Sequence, residues 1–218
     1  MTGIDPPFGR PAEVEPIVTI VEDDPSFREA LARLFRTVGL KTEVFASAAE
    51  LLQHKLPDVP GCLVLDVRLP GLSGLDVQNT LADADIRTPI IFMTGHGDIP
   101  MTVRAMKAGA VDFLTKPFRD QDMLDAVAAA IARDRQRRAQ ERDTLRLRTQ
   151  YESLSPRERE VMALVTTGMM NKQVAAEIGL SEVTVKIHRG NAMRKMGAHS
   201  LVDLVHMAEL LGLAPPKG

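Results

Sequence analysis

Cysteine, tryptophan and long apolar runs are scarce or missing in this chain of 218 residues, and each absence excludes something. The only cysteine, Cys62, excludes an internal disulfide, and its strand-like surroundings predict a small buried hydrophobe. No stretch approaches the ~20 apolar residues of a membrane-spanning helix. Residues 1–16 hold four prolines and no signal-like apolar core, so we expect a disordered lead-in to a cytoplasmic protein without membrane contact.

Neither charge dominates overall, because the net charge of −2 hides an uneven distribution. Residues 1–132 hold 12 Lys and Arg against 19 Asp and Glu, residues 133–150 hold 7 against 3, and residues 151–218 hold 8 against 7. The acidic first part is therefore not expected to touch nucleic acid, whereas the later parts can.

Residues 17–132 alternate strand-like and helix-like segments with short connections. This order predicts an α/β domain with a doubly wound, five-stranded parallel sheet. The predicted strands are 17–22, 42–45, 62–66, 90–94 and 111–115, and the predicted helices are 25–38, 48–55, 74–82, 99–108 and one from 119 onward.

Carboxylates follow two of these strands, at the sheet edge where open α/β folds place their sites. Glu22, Asp23 and Asp24 follow the first strand, and Asp66 ends the third. Clustered carboxylates repel one another unless a cation holds them, and oxygen ligands suit Mg²⁺, which also recruits phosphate oxygens. One carboxylate is thus a candidate phosphoryl acceptor.

Thr94 and Lys116 end the fourth and fifth strands and are expected at the same edge. A hydroxyl can donate to a phosphoryl oxygen, and an ammonium can neutralise the added charge. Singly, such residues are more often helix caps or surface charges, so the prediction depends on their occurring together in this order.

Residues 15–130 resemble a response-regulator receiver domain. The motifs are Glu22-Asp23, Asp66 followed by residues 69–74 (LPGLSG), Thr94-Gly95, Phe113 and Lys116-Pro117. The resemblance implies that Asp66 is the phosphoacceptor and that Glu22, Asp23, Asp66 and the Arg68 backbone carbonyl hold Mg²⁺. It also implies that Thr94 and Phe113 form a switch pair, that Lys116 contacts the phosphate, and that Asp24 is only a helix cap. His96, close to Thr94, is a weaker candidate for controlling the phosphate's lifetime.

A helical pattern continues to about residue 151 and loses its apolar stripe between 133 and 143. We predict a receiver domain at 17–132 and a helical linker at 133–152. A solvated linker is favoured over a dimer-forming coil, because the charged stretch offers too few apolar seam positions.

Residues 153–213 predict four short helices. Ser155, Asn171, Ser181 and Ser200 are predicted N-caps, and Gly179 and Gly197 are predicted C-terminal stops. The short turn at 179–181 makes a helix-turn-helix candidate, although a plain helical bundle fits the spacing about as well.

The third of these helices favours DNA binding. At 100° per residue Val185, Ala192 and Met196 form its buried stripe, which leaves apolar and basic residues on the opposite face. Such side chains can read thymine methyls and guanine. The predicted DNA-facing set is Lys172, Val183, Thr184, Lys186, Ile187, His188, Arg189, Gly190, Arg194 and Lys195.

This region resembles the DNA-binding domain of NarL/LuxR-type regulators, through residues 154–160 (LSPRERE), 171–173 (NKQ) and 181–189 (SEVTVKIHR). The whole chain thus resembles a FixJ-type response regulator. That implies a sensor histidine kinase, dimerisation on phosphorylation, promoter DNA and RNA polymerase as partners, and no enzyme activity beyond Mg²⁺-dependent self-phosphorylation and slow self-dephosphorylation. Gly190 departs from the pattern and costs roughly 0.5–1 kcal/mol of helix stability. It either removes a base contact or allows a close approach.

Three alternatives remain open at this point. A haloacid-dehalogenase-like phosphohydrolase also uses Asp, Thr and Lys, but it needs a second Asp where Arg68 stands. A constitutive DNA binder can retain a receiver as a dimerisation module only. A phosphorelay intermediate needs no DNA-reading helix.

Overall fold

A computed structural model describes residues 14–95 and 99–213 of the chain. Its contacts divide the chain between Arg138 and Ala139 into two compact units. Most of the predicted lead-in and His96 lie outside the described residues. Among the helices described, none has both the length and the apolar character needed to cross a bilayer.

The first unit contains the predicted parallel sheet. Its strand order is β2-β1-β3-β4-β5, and every neighbouring pair is parallel. The strands are β1 Ile17–Val21, β2 Lys41–Phe45, β3 Gly61–Asp66, β4 Ile90–Thr94 and β5 Asp112–Thr115. The helices between and after them are α1 Pro25–Thr37, α2 Ala48–Gln53, α3 Gly74–Asp83, α4 Ile99–Lys107 and α5 Asp120–Glu152.

Two apolar layers cover the faces of this sheet. Helices α1 and α5 pack on one face, around Phe35, Val64 and Met123, while α2, α3 and α4 belong to the layer on the other face. Strands β3 and β4 are buried along their whole length, as expected for central strands of a parallel sheet covered on both faces. The predicted fold of this part is confirmed.

Polar side chains cap the first two helices. Asp24 caps α1, and its Oδ1 accepts hydrogen bonds from Ser26 N and Phe27 N, as predicted. Ser47 caps α2 by accepting a hydrogen bond from Glu50 N, and the side chain of Glu50 accepts one from Ala46 N.

The second unit is all-α. Its helices are α6 Pro156–Val165, α7 Asn171–Ile178, α8 Glu182–Met196 and α9 Leu201–Leu210. Leu147 and Tyr151, near the end of α5, pack against the core that these four helices share. Ser155, Ser181 and Ser200 cap their helices, and Gly179 and Gly197 end theirs in the left-handed conformation, as predicted.

The predicted N-cap at Asn171 is wrong. Helix α7 begins at Asn171 itself, so the cap position belongs to Met170, whose backbone N–H donates to Gln173 Oε1 at 2.8 Å. Asn171 Oδ1 instead accepts a hydrogen bond from Arg189 at 3.1 Å. The side-chain amide therefore links α7 to α8 rather than closing its own helix.

Helix α5 remains attached to the first unit beyond residue 132. The Asp134 carboxylate is 1% exposed and accepts from the backbone N–H of Gly61 at 3.1 Å. Arg137 and Arg138 also donate to it, and Arg138 reaches on to Asp58. Because of these contacts, the part of the charged stretch up to Arg138 belongs to the compact first unit.

Candidate functional site

The carboxyl-end edge of the sheet gathers two of the predicted carboxylates around the ammonium group of a third predicted residue, Lys116. Lys116, which follows β5, places its Nζ 2.6 Å from Glu22 Oε2 and 2.6 Å from Asp66 Oδ2. Both carboxylates are buried, with 2% and 6% of their residues' surface exposed. Short connections out of parallel strands bring β1, β3 and β5 to this point, so two buried acids share one cation.

Backbone donors fix the two carboxylates further. Arg68 N donates to Asp66 Oδ1 at 2.7 Å, and Asp24 N donates to Glu22 Oε1 at 3.3 Å. The guanidinium of Arg28 donates to the Glu22 carbonyl at 2.5 Å and contacts the Asp23 carbonyl at 3.3 Å. The acidic loop is therefore held by bonds along both its backbone and its side chains.

The electrostatics of the edge reflect burial and pairing together. Burial raises the pKa of Glu22, and the hydrogen bond from Lys116 offsets part of that rise. Burial acts to lower the pKa of Lys116, but its hydrogen bonds to Asp66 and Glu22 outweigh this effect and raise it. The ammonium thus stays charged at neutral pH, where an added phosphate would need it.

Phe27 is a residue of this edge that the sequence did not reveal. Its ring lies in α1, 4.3 Å from Lys116 Nζ, and packs edge-on against Phe118. The lysine therefore lies between two carboxylates and an aromatic face. An apolar residue early in an amphipathic helix carries no signal beyond core packing, so only the tertiary structure could reveal this contact.

The acids of the edge have the composition and spacing of a cation site. Glu22, Asp23 and Asp66 each offer one carboxylate oxygen, and these oxygens lie within 4.8 Å of one another. Asp23 is exposed, so this oxygen set opens to solvent on one side. Three hard oxygen donors with an open side fit Mg²⁺, which usually keeps several of its waters.

The switch candidates lie beside this cluster. Thr94 ends β4, the strand between β3 and β5, is fully buried, and its carbonyl accepts from Lys116 N at 2.7 Å. Phe113 in β5 is partly exposed, with its ring centroid 6.3 Å from that of Phe92. Thr94 thus lies at the edge, whereas Phe113 lies three residues before Lys116 along the chain. The switching role of both residues stays a prediction, as does the role of the Arg68 carbonyl as a Mg²⁺ ligand.

Helix α8 presents the second candidate surface. Val185, Ala192 and Met196 are buried in the core of the second unit, as the 100° periodicity predicts. Val183 and Ile187 are 70% and 57% exposed, so two large apolar side chains face solvent on this helix. Lys186, Gly190 and Arg194 are exposed on the same face.

Some of the predicted DNA-facing residues are tied within the domain. Lys195 Nζ donates to Glu158 Oε2 at 2.6 Å and to the Ser153 carbonyl at 3.3 Å. Arg189 is held by Asn171, as described above, whereas Lys172 is exposed at the start of α7. Thr184 and His188 are partly buried. The DNA contacts of these five residues remain predictions. Lys195 and Arg189 already make hydrogen bonds within the domain.

Comparisons with known proteins identify both domains. Residues 18–128 match the response regulator receiver domain, and residues 152–208 match the bacterial regulatory proteins of the luxR family. FixJ of Azorhizobium caulinodans, a transcriptional regulatory protein, is 42% identical over 198 residues, which cover 91% of this chain and 94% of that protein. The chain belongs to the NarL/FixJ family of response regulators.

Other relatives of this response regulator cover most of its length. Nodulation protein W of Bradyrhizobium diazoefficiens is 63% identical over 203 residues, or 93% of this chain and 89% of that protein. The structure of the response regulator StyR matches with a TM-score of 0.82 at 47% identity, covering 89% of this chain and 98% of that one. Full-length FixJ from B. japonicum matches with a TM-score of 0.56 at 37% identity, covering 91% and 98%.

The family establishes the general role of the protein. It is a two-component transcriptional regulator with a receiver domain and a LuxR-type helix-turn-helix domain that binds DNA. Members of this family have a sensor kinase as their partner, and they are transcriptional regulators rather than typical enzymes.

Proposed function

We propose that this response regulator is switched by phosphorylation of Asp66 and that the phosphorylated form dimerises and binds promoter DNA. The observation that carries the proposal is the Lys116 ammonium, which lies 2.6 Å from both Glu22 and Asp66 at one sheet edge. A buried carboxylate beside a charged lysine can accept a phosphoryl group, because the new negative charge meets a fixed positive one.

The chemistry assigns distinct tasks to the residues of the edge. A carboxylate oxygen of Asp66 attacks the phosphorus of the kinase's phosphohistidine, and the bond to the histidine nitrogen breaks. Lys116 then pairs with a phosphoryl oxygen, and the Thr94 hydroxyl donates to another. Glu22, Asp23, Asp66 and the Arg68 carbonyl would hold Mg²⁺, which supplies charge neutralisation at the phosphoryl oxygens when bound.

The output follows from a change at β4 and β5. We propose that Thr94 moves toward the phosphate, that Phe113 follows it, and that the surface carrying α4 and β5 becomes a dimer interface. Two copies of α8 would then meet half-sites about one DNA turn apart. The receiver (17–132), linker (133–152) and DNA-binding domain (153–213) would act as separate functional segments, in the cytoplasm and with RNA polymerase as a further partner.

Sedimentation velocity with and without acetyl phosphate and Mg²⁺ tests the switch. Wild-type protein is expected to shift from monomer to dimer with the donor, and Asp66→Ala is expected to remain monomeric. Asp83→Ala is a matched control, because Asp83 is an exposed carboxylate at the end of α3 with the same charge. It should dimerise like the wild type.

Two outcomes would refute the proposal. Donor-dependent dimerisation of Asp66→Ala would show that another group accepts the phosphate. A wild type that dimerises equally without donor, and binds the same DNA as Asp66→Ala, would make the receiver a permanent dimerisation module. Intact mass of each sample, measured in parallel, shows whether one phosphoryl group was added.

A further inference from the structure

Gly190 differs from the glycines that this protein needs for its own fold. Gly179 and Gly197 end helices with φ of +67° and +71°, a region that other residues rarely adopt. Gly61 and Gly74 have no room for a side chain, since a Cβ would lie 2.3 Å and 2.6 Å from a backbone oxygen. Gly190 has a helical backbone, and a Cβ there would meet nothing within 4 Å.

The helix itself would be better served by another residue. Gly190 is well inside α8, where glycine is among the least favourable residues for helix formation. An alanine could replace it without strain or collision, because a Cβ there would meet nothing among the described residues. The described part of the fold therefore gives no reason for a glycine here, whereas the close approach of a bound partner would give one.

The position of Gly190 indicates what that partner is. It lies four residues after Lys186, three after Ile187 and four before Arg194, so these residues share one line along the helix. All are exposed, and the large apolar side chain of Ile187 has more than half of its surface open to solvent. The glycine thus leaves a gap in the middle of the surface proposed to read DNA.

We propose that Gly190 determines DNA specificity by letting α8 enter the major groove deeply enough for Lys186 and Ile187 to reach base edges. A helix with its side chains is ~10–12 Å across, and the groove is ~12 Å wide, so one missing side chain on the inserted face changes the depth of entry. The inference rests on the proposed DNA-binding function.

The test compares Gly190→Ala with the wild type on two DNA duplexes. The probes are a duplex recovered by wild-type selection from a random-sequence pool and a scrambled duplex of the same composition, both with acetyl phosphate and Mg²⁺. We expect Gly190→Ala to bind the selected duplex about tenfold more weakly, the scale of one lost base contact. Binding to the scrambled duplex should be unchanged, because backbone charge carries it.

Thermal stability is an independent readout, because Gly190→Ala should raise it while weakening DNA binding. Gly190→Ala should unfold at a higher temperature than the wild type, although it binds the selected duplex less well. Ala163→Gly, at an exposed position inside α6, supplies the reverse change in helix propensity away from α8. It should lower the unfolding temperature and leave DNA binding unchanged. The double variant should return near wild-type stability and keep the binding defect.

The outcomes separate this inference from the proposed function. If selection with wild type enriches no duplex, specific DNA binding fails and the inference fails with it. If wild type binds its selected duplex and Gly190→Ala binds equally well or better, only the inference is overturned. It is also overturned if selection with Gly190→Ala recovers duplexes as tight as those of the wild type, since the side chain would then change sequence preference without limiting depth.

Discussion

The receiver edge and the α8 face use charge in opposite ways. At the edge, Glu22 and Asp66 are buried and share the Lys116 ammonium, so their charges are paired inside the protein. On α8, Lys186 is exposed beside the exposed Val183 and Ile187, so its charge faces solvent. The first surface is organised by pairing within the protein, whereas the second presents its side chains to solvent. Removing a charge should therefore destabilise the first surface far more than the second.

Lys116→Met should have the largest effect on stability. It keeps most of the apolar stem but leaves two buried carboxylates without their cation, which costs about 3 kcal/mol when one partner of a buried pair is lost. Added Mg²⁺ should recover part of the loss, because it would bind the same oxygens. Hydrogen exchange of the β1 and β3 amides measures the change in the receiver unit.

Lys107→Met is the matched control for this prediction. Lys107 is exposed in the last turn of α4, so its loss should change the free energy of unfolding by less than about 0.5 kcal/mol. Equal effects of the two substitutions would show that the pairing of Lys116 contributes no more to stability than a surface charge. The proposed difference between the receiver edge and the α8 face would then be wrong.

Asp134→Ala tests whether paired burial extends beyond the predicted receiver boundary. The change leaves the Gly61 amide without its acceptor and frees Arg137 and Arg138 from their common partner. We expect a loss of about 2 kcal/mol, the range for an unsatisfied buried donor. Exchange of amides at the start of β3 should accelerate, while the exposed Asp143→Ala on the same helix should have no such effect. Unchanged protection at β3 would refute the role of Asp134.

Most of the architecture and the residues that meet at the receiver edge could be predicted, because both depend on local signals. Apolar runs ending in polar residues predicted the strands, and periodicity predicted the buried stripe of α8. What could not be predicted involved charges whose partners are distant in sequence. Asp134 bonds a residue 73 positions away, and Lys195 bonds one 37 positions away. From the sequence alone, an acid in a charged stretch and a lysine on a basic helix are both interpreted as solvent-exposed and unpaired. The partners of Asp134 and Lys195 therefore could not be predicted.

Asn171 illustrates the same limit at short range. A polar residue before an apolar helix is a strong capping signal, yet the structure places Asn171 at the first helical position. Its amide bonds Arg189, which approaches only because α7 and α8 pack together. Asn171 therefore makes a tertiary contact in place of the predicted cap, and a capping rule that considers only neighbouring residues cannot predict such a contact.

Lys195→Met should have the smallest effect on stability. It tests a lysine on α8 that is paired in the same way as Lys116. Lys195 belongs to the basic helix, but it pairs with the buried Glu158 as the receiver lysine pairs with its acids. Because Lys195 is partly exposed and Glu158 keeps its hydrogen bond from Ser155 N, we expect a loss of only about 1 kcal/mol at neutral pH. Fluorescence of Tyr151 reports this unit, since the chain has one tyrosine and no tryptophan.

The pH dependence of that loss distinguishes an ion pair from simple packing. The hydrogen bond from Lys195, with one from Ser155, lowers the pKa of Glu158 below its ordinary 4.5. A lowered folded-state pKa stabilises the protein above the unfolded value, and this contribution disappears as pH falls through the folded value. The gap between wild type and Lys195→Met should therefore be widest near neutral pH and narrow below pH 4.5. Lys186→Met, an exposed change on the same helix, should show no pH-dependent gap, and a constant gap for Lys195→Met would mean that only its stem matters.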